Sequence, residues 1–511
     1  MMPDAAPSPL PAPSSPAGAS PVLQVPAAQV PAAQAPTAQV SSAQPFPALQ
    51  ASRSEGGIRW RLLLAMILTG VAVGLGAAAL SWLIHGVEHL AFGQTEAQAR
   101  IVTEGTTPER RMLALLGGGL VVTLGWALLQ LRGRPVVGVN GAVAADTPAR
   151  RRPPFFENVM HAVLQIVAVG SGAPIGREVA PRELGALFAG RIVDGLRLDD
   201  EMRRLLVACG AAAGLAGVYQ VPLAGTVFAL EILLARFSIR YGVVALTVSV
   251  IATLVARVTV STETFYVLGQ ISGSAVTVGW CALIGVLVGL PAAAFRRAVQ
   301  HVEKHRAQKW QVLWALPLAL ALTGVVAIWL PQVLGNGRSA AQTAYDGTTL
   351  QLCLALLAGK TAVVLLTLRS GAYGGTLTPG VAIGALAGLA AGQGLHLLPV
   401  WDVLPGVAGE ASVLAAAVAG SVGFLAVSMN APLTAFALVM GFTGQHHAAV
   451  LPLLAAVAGA MGAASLWSRQ EQGITSRRST GRAAPAPAHG PGAAACVTGR
   501  PRSRPGCHSC R

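Results

Sequence analysis

The feature that most constrains this chain is a train of apolar segments between residues 58 and 467, repeatedly interrupted by Gly and Pro. Arg59 and Arg61 lead into residues 62–84, long enough to cross roughly 30 Å of hydrocarbon. Residues 112–131 form a second crossing. Further apolar stretches occupy 155–169, 205–237, 241–260, 276–295, 312–330, 350–368, 381–398, 413–427 and 432–467. Several are too short to span alone. Breaks at membrane depth are tolerated only where backbone is buried in protein or lines a cavity. The pattern therefore predicts an all-α polytopic membrane protein of broken and re-entrant helices, not a simple bundle.

Composition agrees. Only 11% of residues are charged, against about 25% in soluble domains. The net charge of +15 does not signal nucleic-acid binding, because no basic stripe carries interleaved aromatics. Lys and Arg collect between apolar runs, as in Arg132, Arg134, Arg150–Arg152 and 296–309. The positive-inside rule makes these loops, and both termini, cytoplasmic. Residues 1–57 are Pro, Ala, Ser and Gln with little charge, a disordered tail that lacks the basic n-region of a cleaved leader. Residues 468–511 read as a second polar tail, in which Cys507 and Cys510 bracket His508 without a second Cys pair. No metal or cofactor is expected. Cys209, Cys281 and Cys353 read as small buried hydrophobes.

Two motifs recur in the same order. Ser171-Gly172-Ala173 followed by Gly176 matches Ser370-Gly371-Ala372 followed by Gly375, and each is followed at equal distance by Gly-Ala-Leu. Pro222-Leu223 leading to Phe228 is echoed more loosely by Pro432-Leu433 leading to Phe436. This reads as a duplicated unit, roughly 155–260 and 355–467, within halves of about 58–260 and 274–467. A Gly-rich turn feeding a helix exposes backbone N–H groups where the helix carries roughly +0.5 charge. Two such ends aimed at one spot make an anion site without a full cation, which would hold a permeant anion too tightly. Glu178 stands at the first of these ends. An intramembrane acid is by default a functional residue, and here it can compete with an anion for the same N–H groups. Lys360 and His161 also lie in apolar segments; Lys360 can snorkel or stabilise the anion path, though a structural role is the expectation, and His161 is expected to be interfacial or satisfied.

These residues resemble the CLC family of chloride channels and chloride/proton antiporters over most of 58–467. The family's G-R/K-E-G-P motif is similar to Gly176-Arg177-Glu178-Val179-Ala180, with Pro181 one place late. Its G-x-F-x-P motif is similar to Gly375-Thr376-Leu377-Thr378-Pro379, with Leu377 for Phe. Gly210 to Leu215, Val221 to Glu231, and Ala431-Pro432-Leu433-Thr434 also match in order. The resemblance implies an inverted-repeat membrane domain, a homodimer with one pore per subunit, and Glu178 as gate. It also implies anion contacts at Gly176, Arg177, Val179, Gly375, Thr376, Leu377 and Thr378, and a proton path through Glu178 and Glu231.

The departures matter. The family's first anion motif, which carries a serine, is matched only by Gly138, Val139 and Asn140. The tyrosine of its last helix has no counterpart after Trp467. Antiporter members carry an inner glutamate directly after the position of Glu231, where this chain has Ile232. The expectation is a passive, voltage- or pH-gated chloride channel in a bacterial inner membrane, surrounded by lipid. The alternatives are a proton-coupled chloride or fluoride antiporter and, remotely, a polytopic membrane enzyme. The last lacks a catalytic cluster, the membrane acids being few and unclustered in sequence.

Overall fold

A computed structural model describes residues 55–95, 104–132, 134–397 and 410–480. Most of the N-terminal tail, and the Cys507–His508–Cys510 segment, lie outside the described residues. The first half contains α1 (Glu55–Phe92), α2 (Pro108–Leu131), α3 (Val139–Ala144), α4 (Pro148–Arg151), α5 (Phe155–Gly170), α6 (Val179–Gly195), α7 (Asp200–Tyr219), α8 (Pro222–Phe228) and α9 (Ile239–Ala256). The second contains α10 (Ala275–Lys304), α11 (Val312–Trp329), α12 (Arg338–Tyr345), α13 (Leu350–Arg369), α14 (Leu377–His396), α15 (Glu410–Met429), α16 (Pro432–Thr443) and α17 (Val450–Thr480). Among the described residues nine helices are long and apolar enough to cross a membrane. The chain is a multi-pass integral membrane protein.

Two apolar stretches that read as continuous are broken, and the breaks have local causes. Within 205–237, α7 ends on Gln220 at φ +57° and Pro222 starts α8; Pro suits a first helical position because its missing N–H is unneeded there. A π-helical turn, Ala229–Leu233, then continues α8. Within 432–467, α16 ends on Gly444 at φ +58° before α17 begins. In the other direction, α17 runs past Trp467 to Thr480, so the expected boundary of the polar tail falls inside a helix.

The duplication is visible atom by atom. Ser171 ends α5 and Ser370 ends α13, and each hydroxyl donates to the carbonyl four residues back, Val167 at 2.8 Å and Leu366 at 2.7 Å. A glycine of positive φ follows each, Gly172 at +104° and Gly371 at +108°. Helix pairs α6/α7 and α14/α15 pack through glycine. A Cβ on Gly185 would strike the Gly210 carbonyl, and one on Gly420 the Gly384 carbonyl. Small residues let backbones approach where no hydrophobic force drives helices together. Leu63, Trp82, Leu113, Leu120, Leu318 and Leu322, by contrast, are exposed on outer faces, as lipid contact requires.

The two units run in opposite directions. One face of the molecule gathers the end of α2, the α10–α11 connector and the end of α13. Gln130 accepts from Lys309 N at 2.7 Å, and Arg369 O accepts from Ala307 N at 2.9 Å. The start of α5 lies at this same face, where the Arg132 guanidinium stacks on Phe156. Since α5 starts where α13 ends, the repeat is inverted. The Gly-rich turns of the two units meet at one antiparallel β-bridge, Gly176 with Gly375.

Candidate functional site

At that bridge Gly176 N donates to Gly375 O at 2.7 Å and Gly375 N to Gly176 O at 2.9 Å. The bridge holds the first turns of α6 and α14 beside each other at the centre of the fold. Glu178, fully buried, is the residue before α6. Its side chain makes no cap to its own helix. Instead Oε1 accepts from Leu377 N at 2.7 Å and Oε2 accepts from the Thr378 hydroxyl at 3.2 Å. The acid of the first repeat thus sits on the N-terminus of the second repeat's helix, where the sequence had it competing for its own. A carboxylate is favoured there because the N–H groups and the helix dipole both point at negative charge. A Cβ on either Gly176 or Gly375 would collide with this carboxylate, so both glycines form its floor.

Arginine surrounds the site without entering it as a pore ring. Arg177 stacks over Tyr219 at 5.3 Å and Phe265 at 5.6 Å. Arg182 stacks over Phe228 and its Nε donates to the Glu178 carbonyl at 2.8 Å. Gly176, Glu178, Gly375, Leu377 and Thr378 therefore come together, with Val179 and Thr376 flanking them in sequence. Gly138 lies beside Glu183 instead, whose Oε1 is 4.0 Å from where a Cβ on that glycine would stand. Gly138 caps the short α3, Asn140 is exposed, and among the described residues no hydrogen bond ties Asn140 to Glu178.

Glu231 lies elsewhere too. On the π-helical turn its carboxylate accepts from Leu433 N at 3.1 Å and Thr434 N at 2.6 Å, the first amides of α16. Its neighbour Ile232 is half-buried against the apolar core. Lys360 does not snorkel: it is fully buried, and Nζ donates to the carbonyls of Val333 and Gly335, both at 2.7 Å.

Sequence reasoning missed Glu183. Five residues after Glu178 on α6, it is 6% exposed and accepts from Gln165 Nε2 at 2.9 Å, with His161 Nδ1 also at 2.9 Å. A Glu inside an apolar helix, one and a half turns from the candidate gate, was the available signal. Among the described residues no group of three His, Cys, Asp or Glu side chains could hold a metal ion.

Residues 118–465 match the model of the voltage gated chloride channel family. The chain is 26% identical over 448 residues to an H(+)/Cl(-) exchange transporter, ClcA, of Vibrio parahaemolyticus, covering 83% of this chain and 91% of that protein. It is 27% identical over 394 residues to a voltage-gated ClC-type chloride channel, ClcB, of Escherichia coli, covering 76% and 91%. Among solved structures, a slow cyanobacterial Cl−/H+ antiporter superposes with a TM-score of 0.67 at 20% identity, over 83% of this chain and 99% of that one. A CLC-type fluoride/proton antiporter superposes with a TM-score of 0.55 at 19% identity, over 79% and 94%. At these identities the structural likeness speaks for the fold.

Proposed function

Because the chain belongs to the voltage gated chloride channel family, we propose that it carries chloride across a membrane in exchange for protons, with Glu178 as the gate. One observation carries this reading: an ionisable carboxylate occupies the helix N-terminus that a mobile anion would need. While Glu178 is charged it holds the Leu377 amide and the Thr378 hydroxyl. Once protonated it is a poorer acceptor, and chloride can replace it. Anion occupancy and proton occupancy are thereby linked at one place. Relatives named as exchange transporters support coupling, and they weigh against the purely passive channel expected from Ile232.

Passive conduction remains the second reading, and Ile232 is the observation that favours it. The basic face, with Arg132, Arg134, Arg150–Arg152 and the 305–309 connector, is the cytoplasmic one under the positive-inside rule. The working unit is a homodimer. Purified protein in liposomes, with a pH probe inside and chloride, fluoride or nitrate outside, tests the proposal. Exchange predicts that a chloride gradient drives protons uphill at a fixed ratio; chloride flux without proton movement would replace it with the passive reading.

A further inference from the structure

A buried acid–imidazole pair lies between Glu178 and the basic face. Glu183 on α6 lies five residues beyond Glu178, the cap of that helix, about 7.5 Å along the axis at 1.5 Å per residue. The end of α6 lies at the basic face, since Arg191 donates to Pro153 O just before α5. Glu183 is therefore on the basic-face side of Glu178. His161 rises from the same face, six residues into α5, and is 4% exposed. The Tyr373 ring packs edge-on against its imidazole with centroids 4.7 Å apart, and the Arg306 guanidinium of the basic connector stacks over the Tyr373 ring at 4.5 Å.

Glu183 Oε2 accepts from Gln165 Nε2, and both Glu183 Oε2 and Gln165 Nε2 lie 2.9 Å from His161 Nδ1. His161 Nε2 is buried and without a partner. With Nδ1 donating to the Glu183 carboxylate, Nε2 carries the lone pair that can take a proton. The repeat supplies a contrast. The offset that pairs Ser171 with Ser370 also pairs His161 with Lys360. Lys360 is fixed by two carbonyls, whereas His161 keeps one nitrogen open and has a carboxylate to stabilise an added charge.

We propose that His161 and Glu183 form a proton-binding station that loads Glu178 from the cytoplasmic side. This rests on the exchange reading above. Hydronium gives its proton to the Nε2 lone pair and leaves as water, and Glu183 balances the imidazolium. The Nε2–H bond then breaks, and the proton passes through water to the Glu178 carboxylate, forming an O–H bond and freeing the Leu377 amide for chloride. The neighbouring charges are already engaged. Arg182 is turned to Phe228 and the Glu178 carbonyl. Asp194 of α6 pairs with Arg203 of α7, and Glu157 of α5 lies 3.6 Å from Arg134. From α2 the facing side chain is Trp126; α1 brings Glu88 to the opposite end of α5, where Val87 packs on Gly170.

The test measures chloride and proton flux in the same liposomes for wild type, Glu183→Gln, His161→Gln and Glu183→Asp. The station predicts that both Gln variants lose about tenfold or more of proton flux while chloride flux stays within about twofold, and that Glu183→Asp retains coupling. A wild-type proton-to-chloride ratio in either Gln variant overturns the station alone. Loss of both fluxes in both Gln variants overturns it in favour of a packing role. A wild type that moves no protons overturns the exchange reading itself, and the station with it.

Discussion

The Glu178 carboxylate accepts the Leu377 amide at 2.7 Å across 199 residues of sequence. A gate built this way belongs to neither repeat. Glu178→Gln keeps the shape and removes the charge, so chloride has no carboxylate to displace. Chloride efflux from liposomes is expected to persist in this variant and to lack the rise with falling pH that the gate predicts for the wild type. A variant with the wild-type pH profile would refute the gate.

Gly375→Ala should reach the same end from the other side. Its Cβ would land on the Glu178 carboxylate, which is the mobile end of a side chain and can be pushed away. The expected outcome is chloride flux with weakened pH dependence in a protein that still elutes as a folded species. Unchanged pH dependence would show that the carboxylate does not rest on this glycine.

Glu231 caps α16 through two amides. Glu231→Ala removes a charged helix cap, a loss of about 1 kcal/mol. A lower thermal midpoint in detergent is expected, with the proton-to-chloride ratio unchanged. A collapse of that ratio at normal stability would instead restore Glu231 to the proton path.

Lys360→Met is expected to be worse for folding. It leaves the buried carbonyl of Val333 and the half-buried one of Gly335 without their donor, and a buried unsatisfied group costs about 1–3 kcal/mol. Thermal denaturation and detergent-soluble yield measure it; wild-type stability would mean that other donors reach these carbonyls.

Much of the architecture was legible because its punctuation is local. Ser171 and Ser370, each followed by glycine, mark helix ends in sequence as they do in space, and Pro222 and Pro432 mark starts. Glu178 stood out as an acid at such a turn. What it binds could not be read, since Leu377 belongs to the other repeat and their meeting depends on the inverted packing. His161 and Glu183 were separated for the same reason: they lie on different helices, and neither has a local pattern that names the other. The structural role expected of Lys360 is the one it has, but its partners could not be read, because an apolar segment gives no hint of which carbonyls a lysine will meet.

The Gly176–Gly375 bridge also constrains how such a chain can change over generations. Duplication ordinarily gives each copy freedom to drift while the other preserves the original task. Here the two copies share one carboxylate seat, and a side chain gained by either glycine would evict it. A methyl group acquired in one half cannot be offset by shrinking the other, because both positions already lack one. The halves of this protein are therefore free to diverge along their helices but remain locked in step at the point where they touch.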